Sequence, residues 1–298
     1  MVPGKVWPAA LLCFSVLLSP VAAGAQLSEN LGGLTDENLE GYLEPMNTGL
    51  GGTMNSAVFR TGYVPKSGFD ISVGLVAAAI EFDDEDKYFT PVDPEGFTSL
   101  MPTDVPTVIG DPEGMIVEGE GGLSQIYPGG FGLEGFEIAA PQISVGSYMG
   151  TRVVFRYIAF DLGDSELGDF SYYGYGAQHS ISQWFGDWPF DLAAGFFIQN
   201  FDIGDGIVDA SATQVMVTAS RDFKYLQPYA GFGFDTIRVN AEYDDEDDPE
   251  TSFDVGLDRE TDPHLTLGVE GKIPYVSVFF EFNQAATTGI AVGLNIGM

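Results

Sequence analysis

Hydrophobic and polar residues alternate along most of this chain from about residue 53 onward. The clearest run closes the sequence, where apolar residues alternate with small or polar ones: Ile290, Ala291, Val292, Gly293, Leu294, Asn295, Ile296 and Gly297. Successive side chains of a β-strand point to opposite faces of its sheet. The alternation therefore predicts strands that have one apolar face and one small or polar face.

This alternation gives eleven candidate strands: 52–62, 68–81, 136–148, 151–161, 170–184, 188–201, 208–220, 227–242, 253–271, 275–283 and 287–298. Each is long enough for the roughly 9–11 residues of a tilted membrane strand, whereas strands of soluble proteins average about 5–6 residues. Single-chain bacterial barrels have even strand numbers, so we predict an all-β fold, an antiparallel transmembrane β-barrel of about twelve strands, within a range of about ten to fourteen.

Three explanations would reconcile the odd count with an even-stranded barrel. A further strand lies within 105–127, or one of the candidate strands is not a strand, or the N-terminal segment threads the lumen as a plug. The alternative fold is a secreted β-sandwich, because its core would need the same apolar faces.

Connection length and charge both distinguish the two rims of the predicted barrel: one rim has long acidic loops and the other has short turns that carry bases. Counted back from Met298, the connections alternate between short turns and mostly longer loops. Of the 44 acids, 31 lie with only two bases in four windows around the long loops: 81–134, 161–169, 202–209 and 242–262. The short turns carry four bases: Lys66, Arg221, Lys224 and Lys272. Short turns on one rim and long loops on the other are typical of outer-membrane barrels.

The composition excludes several other classes. The chain has 298 residues and a formal net charge of -33, yet 13% of its residues are aromatic, which is unlike a disordered acidic chain. Nucleic acid is not an expected partner, because phosphate binding needs a basic face. A single Cys excludes a disulfide or zinc scaffold.

Residues 1–25 are typical of a secretory leader that is cleaved before the mature chain begins. Lys5 supplies the positive charge, 9–21 form a short apolar run, and 23–25 are the small residues of the cleavage site. The alternative, a membrane anchor, is disfavoured because the run is short and contains Pro20.

Residues 26–51 lack the alternation and are predicted to form an N-terminal plug or periplasmic segment. A short helix begins after Thr35, a candidate N-cap, and is predicted to end at Pro45 and the glycines that follow it. We expect the β-barrel to occupy residues 52–298.

Several charged residues have the parity of the inward face. A charge on the lipid face costs roughly 2–4 kcal/mol at the membrane midplane, which favours the lumen for these side chains. The lumen-lining candidates are Arg152, Arg156, Asp70, Asp191, Glu270 and Glu281. They would form either a salt-bridge network that fills a narrow barrel or a path for a substrate.

Metal binding and catalysis have weaker signals. Carboxylates of the acidic loop are candidate ligands for a divalent cation such as Ca²⁺: Asp244, Asp245, Asp247 and Asp248. The run 83–86 is a second acidic cluster, but consecutive acids cannot all point at one ion, so a solvated acidic rim that repels anions explains both. No cofactor is expected.

Neither histidine indicates an enzyme. His179 and Ser180 are neighbours in a predicted strand, so their side chains point to opposite faces and cannot readily form a nucleophile–base pair. His264 follows Pro263 beside an acidic loop and is interpreted as the end of that loop.

The chain resembles a family of uncharacterised bacterial outer-membrane-type β-barrel proteins. The resemblance covers most of the mature chain and rests on short motifs: Tyr42-Leu43-Glu44-Pro45, Gly49, Gly51-Gly52, Asn55-Ser56, Phe69-Asp70-Ile71 and the glycine-rich end from Gly289 to Met298. It implies an outer-membrane location and no established activity. Many outer-membrane barrels end in Phe, and the terminal Met298 departs from that pattern. A more distant analogy, at the level of fold alone, is the fatty-acid-transporter type of barrel with its N-terminal plug.

The sequence predicts an outer-membrane barrel without enzymatic activity, either a pore or transporter for a small or hydrophobic solute, or a structural or surface-interaction barrel with a filled lumen. Its expected partners are outer-membrane lipid, the barrel-assembly machinery and divalent cations at the acidic loops. The width of the lumen separates the two functions, because transport needs a continuous opening.

Overall fold

The computed structural model describes residues 34–161, 169–185, 188–203, 208–243, 253–258 and 261–297. The predicted leader, 1–25, and the first residues of the predicted plug, 26–33, lie outside these ranges. The described chain begins with an α-helix, α1 (Asp36–Met54), followed by fifteen strands.

In chain order the strands are β1 (Ser67–Glu81), β2 (Tyr88–Phe89), β3 (Val105–Pro106), β4 (Met115–Glu118), β5 (Ser124–Tyr127), β6 (Gly135–Tyr148), β7 (Thr151–Asp161), β8 (Asp169–Ser180), β9 (Asp191–Ile203), β10 (Val208–Ser220), β11 (Leu226–Tyr243), β12 (Phe253–Asp258), β13 (Asp262–Ile273), β14 (Val276–Gln284) and β15 (Thr288–Gly297). Short 3₁₀ turns occupy Asp84–Lys87, Glu120–Gly122 and Ser182–Trp184.

Ten antiparallel strands close a barrel. Its wall runs β1, β6, β7, β8, β9, β10, β11, β13, β14 and β15, and the β15–β1 pairing completes the ring. β11 pairs with β13 along its first part and with β12 along its last part, so β12 and β13 together occupy the place of the single predicted strand 253–271. The predicted antiparallel barrel is confirmed, and ten strands fall within the predicted range.

The odd count of candidate strands came from the segment 52–62, which is not a strand. α1 continues to Met54, and residues 55–66 then descend through the lumen to the rim where β1 begins at Ser67. The predicted boundary between 51 and 52 therefore falls inside a helix. We call residues 55–66 the lumen segment, and α1 together with the lumen segment the plug.

α1 is longer than the predicted helix because the barrel encloses it. Apolar side chains of the helix are buried against the inner wall: Leu39, Tyr42, Leu43, Leu50 and Met54. Pro45 removes one backbone donor without ending the helix. At Gly52 an added Cβ would lie 2.7 Å from Thr287 Cγ2 and 2.9 Å from Ile80 Cγ2. The glycine that sequence reasoning treats as a helix end is instead the point where helix and wall approach most closely.

None of the helical segments in the described part of the chain combines the length and hydropathy that a membrane-spanning helix requires.

The polarity of the wall changes between the short-turn rim and the long-loop rim, and β11 shows this change within one strand. Near the short turns its outward residues Phe232 and Phe234 are exposed and apolar, whereas further along Arg238 and Glu242 are exposed and charged. Its inward residues follow the opposite order, since Asp235 precedes a buried apolar series: Ile237, Val239 and Ala241. The half of the barrel near the long loops therefore has an apolar interior around α1, and the half near the short turns has a polar interior.

Two adjacent glycines of α1 provide a test of this packing. Gly51→Ala adds a Cβ at 3.4 Å from Ile237 Cγ2, an ordinary contact, so the gain in helix propensity should raise the free energy of unfolding by about 0.5–1 kcal/mol. Gly52→Ala places its Cβ against Thr287 and Ile80 and should lower the free energy of unfolding by about 1–3 kcal/mol. Urea unfolding in detergent micelles measures both, and equal effects would contradict the close approach.

Candidate functional site

The lumen segment is held by side chains of the barrel wall and not by neighbouring strands. Seven main-chain groups of residues 54–62 are bonded in this way. Five carbonyls accept from wall side chains: Met54 O from Arg156 at 3.1 Å, Ser56 O from Arg156 at 2.7 Å, Asn55 O from Gln214 at 2.8 Å, Arg60 O from Gln227 at 3.3 Å and Thr61 O from Gln178 at 2.7 Å. Two amides donate to wall side chains: Ala57 N to Glu281 at 2.6 Å and Gly62 N to Ser220 at 2.9 Å. A buried main-chain group without a partner costs roughly 1–3 kcal/mol. The polar lining of the lumen thus replaces the ladder that a sheet would supply.

Arg156 is the centre of this arrangement. β7 directs it inward, its neighbours Phe155 and Tyr157 face outward, and its side chain is buried. Beyond its two bonds to the plug, Arg156 donates from Nε to Gln142 Oε1 at 2.6 Å and from Nη1 to Tyr172 Oη at 3.3 Å. Its guanidinium carbon also lies 5.5 Å from the ring centre of Phe197. One side chain therefore ties the end of α1 to several strands at once.

A second buried network crosses the opposite side of the lumen. Glu281 accepts from Tyr229 Oη and from Asn283 Nδ2, both at 2.8 Å. The ring of His264 is 2.9 Å from Asn283 Oδ1 through Nε2 and contacts Asp235 through Nδ1. This network supports Glu281, which in turn holds the lumen segment.

The interpretation of His264 as the end of a loop is wrong. It lies within β13, is buried, and points into the lumen. The adjacent acidic run suggested a loop, but the strand begins at Asp262, before the histidine. Its parity with Thr266 and Glu270 is the signal that could have found it.

The lumen has an opening at the rim of the short turns. A cavity of about 370 Å³, which we call the rim cavity, lies beside the lumen segment at that rim. Three acid–base pairs line it: Arg152 Nη2 to Asp70 Oδ2 at 2.6 Å, Arg60 Nη1 to Glu270 Oε1 at 3.9 Å, and Lys272 bonded to Asp222. The bond from the Lys272 ammonium lowers the pKa of the Asp222 carboxyl below its ordinary value. Paired charges leave this cavity polar and close to neutral.

The six lumen-lining candidates have different surroundings in the structure. Arg152 and Asp70 pair with each other, and Glu270 pairs with Arg60, a residue of the plug that sequence reasoning did not single out. The other three do not join them. Arg156 and Glu281 each hold the main chain of the plug, and Asp191 is half-buried at the start of β9. Among the described residues Arg156 is not bonded to any of the four candidate acids, because backbone carbonyls and uncharged side chains occupy its donors.

The candidate metal ligands Asp244, Asp245, Asp247 and Asp248 lie outside the described residues. No group of three or more metal-ligating side chains occurs in the described ranges. The acidic run 83–86 forms a 3₁₀ turn closed by a bond from Asp83 N to Asp86 Oδ2 at 2.9 Å. Lys87 Nζ bonds Asp84 and Glu134 beside it, and these bonds raise the pKa of the Lys87 ammonium.

His179 and Ser180 point to opposite faces of β8. The His179 ring is 2.9 Å from Thr151 Oγ1 and 2.9 Å from Gln183 Nε2, whereas Ser180 is buried on the lumen side, 3.4 Å from Ser182 Oγ. The two side chains are not placed as a nucleophile–base pair.

A model of a family of unknown function, DUF6588, matches residues 5–298 of this chain. No curated protein matches it. Among solved structures, the chain is similar to the outer-membrane protease OmpT from Escherichia coli, with 9% identity, a TM-score of 0.33, and coverage of 79% of this chain and 96% of that chain. It is similar to Neisserial surface protein A at 11% identity and a TM-score of 0.27, covering 77% and 97% of the two chains. A de novo designed transmembrane β-barrel has 14% identity and a TM-score of 0.27, covering 50% and 96%. Likenesses this distant carry no argument about function.

Replacing Arg156 tests whether it fastens the plug. Arg156→Met leaves the carbonyls of Met54 and Ser56 without donors and should lower the free energy of unfolding by about 1.5–3 kcal/mol. In a Cys13→Ser background, a cysteine at the buried position Ser56 should then react faster with a thiol reagent. The matched control is Arg152→Met, because Arg152 bonds the wall residue Asp70 and not the plug. Equal acceleration by both variants would contradict a specific role for Arg156.

Proposed function

Because this chain belongs to a family of unknown function, we propose its role from its geometry: an outer-membrane β-barrel held closed by its own plug. In this role it is a structural or surface-interaction barrel and not an open pore. The observation that carries the proposal is the bonding of the plug's main chain by wall side chains, above all by Arg156.

An apolar outer band supports the membrane location. In the half of the barrel near the short turns, outward residues on many of the wall strands are exposed and apolar, among them Leu75, Phe155, Phe232, Leu267, Phe280 and Leu294. Exposed aromatic residues gather at the short-turn rim: Trp184, Phe185, Trp188, Phe190, Tyr225 and Tyr275. Such a band with aromatic residues at its edge is typical of barrels that span an outer membrane. The acid-rich long loops would then face outward and the short turns would face the periplasm.

Closure of the lumen supports the non-conducting role. The apolar side chains of α1 fill the half near the long loops, and Arg156, Gln199 and Gln214 are buried across the middle. Below them the lumen segment occupies the centre. Expelling the plug would break all of its bonds to the wall at once, so thermal opening should be rare.

Transport by displacement of the plug is the second candidate, and the rim cavity favours it. That cavity reaches from the short turns up to Gln142 and Val154, so a solute could advance partway into the barrel. The wall around the rim cavity is rich in amide and charged side chains, which suits a polar solute better than a hydrophobic one.

The membrane location predicts a depth-dependent cost of charge on the outer wall. Leu267→Arg, within the apolar band, should lower the free energy of unfolding in lipid vesicles by about 2–4 kcal/mol. Thr236→Arg is the control, since it lies on the outer wall beyond that band and should cost about 0–1 kcal/mol. The measurement is urea unfolding in vesicles, and a soluble periplasmic monomer on fractionation would end the proposal.

Closure by the plug predicts the behaviour of the protein in planar lipid bilayers. The full chain should give no stable conductance, whereas a variant lacking residues 36–60 should give steady channels because the helix and most of the lumen segment no longer fill the barrel. Heat-modifiable migration on a gel checks that the shortened barrel has folded, and Arg156→Met, which keeps the whole chain, should give brief openings. A full chain that conducts as well as the shortened variant would establish an open pore.

A further inference from the structure

The long connection between β1 and β6, residues 82–134, carries an exposed apolar surface at the long-loop rim. In the β4–β5 hairpin Ile116 pairs directly with Ile126, and their side chains are 64% and 68% exposed. Leu100 N donates to Glu118 O at 3.0 Å next to a bridge between Ser99 and Gly119, and the Leu100 side chain is 60% exposed. Directly paired residues point to the same side of a sheet. Leu100, Ile116 and Ile126 therefore form one face, which we call the cap face.

The cap face belongs to an ordered structure and not to a loose loop. On the opposite side of the hairpin Val117 and Tyr127 are buried with Val105 in a small apolar core. The connection is also bonded to the plug, because Val108 N donates to Tyr42 O at 2.9 Å and Asn38 Nδ2 donates to Val92 O at 2.9 Å. The three apolar side chains are thus held in place before any partner arrives, which lowers the entropic cost of binding.

The charge around the cap face has one sign. Residues 88–134 contain eight acids and no Lys, Arg or His. Glu113, Glu118 and Glu120 are exposed beside or within the cap face. A partner must therefore supply both an apolar contact and positive charge.

We propose that the cap face docks a cationic polypeptide segment that carries apolar anchor residues between its basic side chains. Apolar contact with the three exposed side chains would supply affinity, and the surrounding carboxylates would select for Lys and Arg. A second copy of this chain is a poor occupant because it presents the same carboxylates. A lipid surface is also a poor occupant, since the charged outer wall at Arg238 and Glu242 separates the cap from the apolar band.

The test uses the full chain in nanodiscs of zwitterionic lipid and a fluorescent peptide in which Leu and Lys alternate. Binding is measured by anisotropy after subtraction of empty nanodiscs. The Leu/Lys peptide should bind, its affinity should fall with added salt, and both a Leu/Glu peptide and a Ser/Lys peptide should bind at least about tenfold more weakly, since about 1.4 kcal/mol corresponds to a factor of ten.

Two pairs of substitutions identify the surface. Ile116→Ser with Ile126→Ser should weaken the Leu/Lys peptide about tenfold, because two apolar contacts are lost. The matched control is Val92→Ser with Met101→Ser, which removes two exposed apolar side chains of the same connection outside the cap face and should leave affinity unchanged. Far-ultraviolet circular dichroism and heat-modifiable migration check that both proteins fold.

Three results would overturn the proposal. The first is equal binding to the protein and to its Ile116→Ser, Ile126→Ser variant. The second is a dimer in sedimentation that the same two substitutions abolish, which would assign the cap face to self-association. The third concerns a nitroxide attached to Ser124→Cys, at the cap face. If oxygen reaches this label but a polar nickel reagent does not, the cap face lies in lipid.

Discussion

A polypeptide that passes through a closed barrel has no sheet edge to bond, and this constraint organises the molecule. The buried amides and carbonyls of the lumen segment must find partners inside the barrel, in the wall or in the plug itself, to replace the bonds that they would make to water. Arg156 of β7, Gln214 and Ser220 of β10, and Glu281 of β14 supply partners of this kind. The inward positions of the wall are therefore polar where the lumen segment passes. Arg156 can be buried there because carbonyls and neutral side chains accept its hydrogen bonds, with no carboxylate among its described partners.

The same constraint explains why the interior changes along the barrel. A helix satisfies its own main chain, so the wall around α1 needs no side-chain donors and is apolar: Val208, Ile237, Val239, Val255 and Leu257. On the outer surface the order is reversed, since the apolar band lies around the polar interior and the charged wall lies around the apolar one. The half near the long loops thus resembles a water-soluble protein, with an apolar core and a charged surface. The half near the short turns resembles a membrane barrel, with an apolar surface and a polar interior.

The strands, and which of their side chains point inward, could be predicted from the sequence because side chains alternate strictly between the two faces of a strand. Predicted and observed bounds agree for 151–161 and 208–220, and the facing of Arg152 and Arg156 follows from the apolar residues on either side of them. The plug was not accessible in the same way. Pro45 and the glycines of α1 indicate a helix end in isolation, and only the nearness of Ile80 and Thr287 explains them. The alternation at 52–62 was misleading because residues 52–54 complete α1 and residues 55–57 form a turn, with Ala57 at a positive φ.

Threading the lumen also decides where the two ends of the described chain emerge. In an even-stranded barrel whose ends are simply its first and last strands, both ends lie on one side. Here Leu34 packs with the hairpin core at the long-loop rim, while Gly297 lies at the short-turn rim beside Tyr275. A tag joined ahead of α1 and a tag joined behind β15 would consequently stand on opposite sides of the same barrel, which makes this architecture a natural scaffold for displaying a peptide on one face while anchoring a reporter on the other.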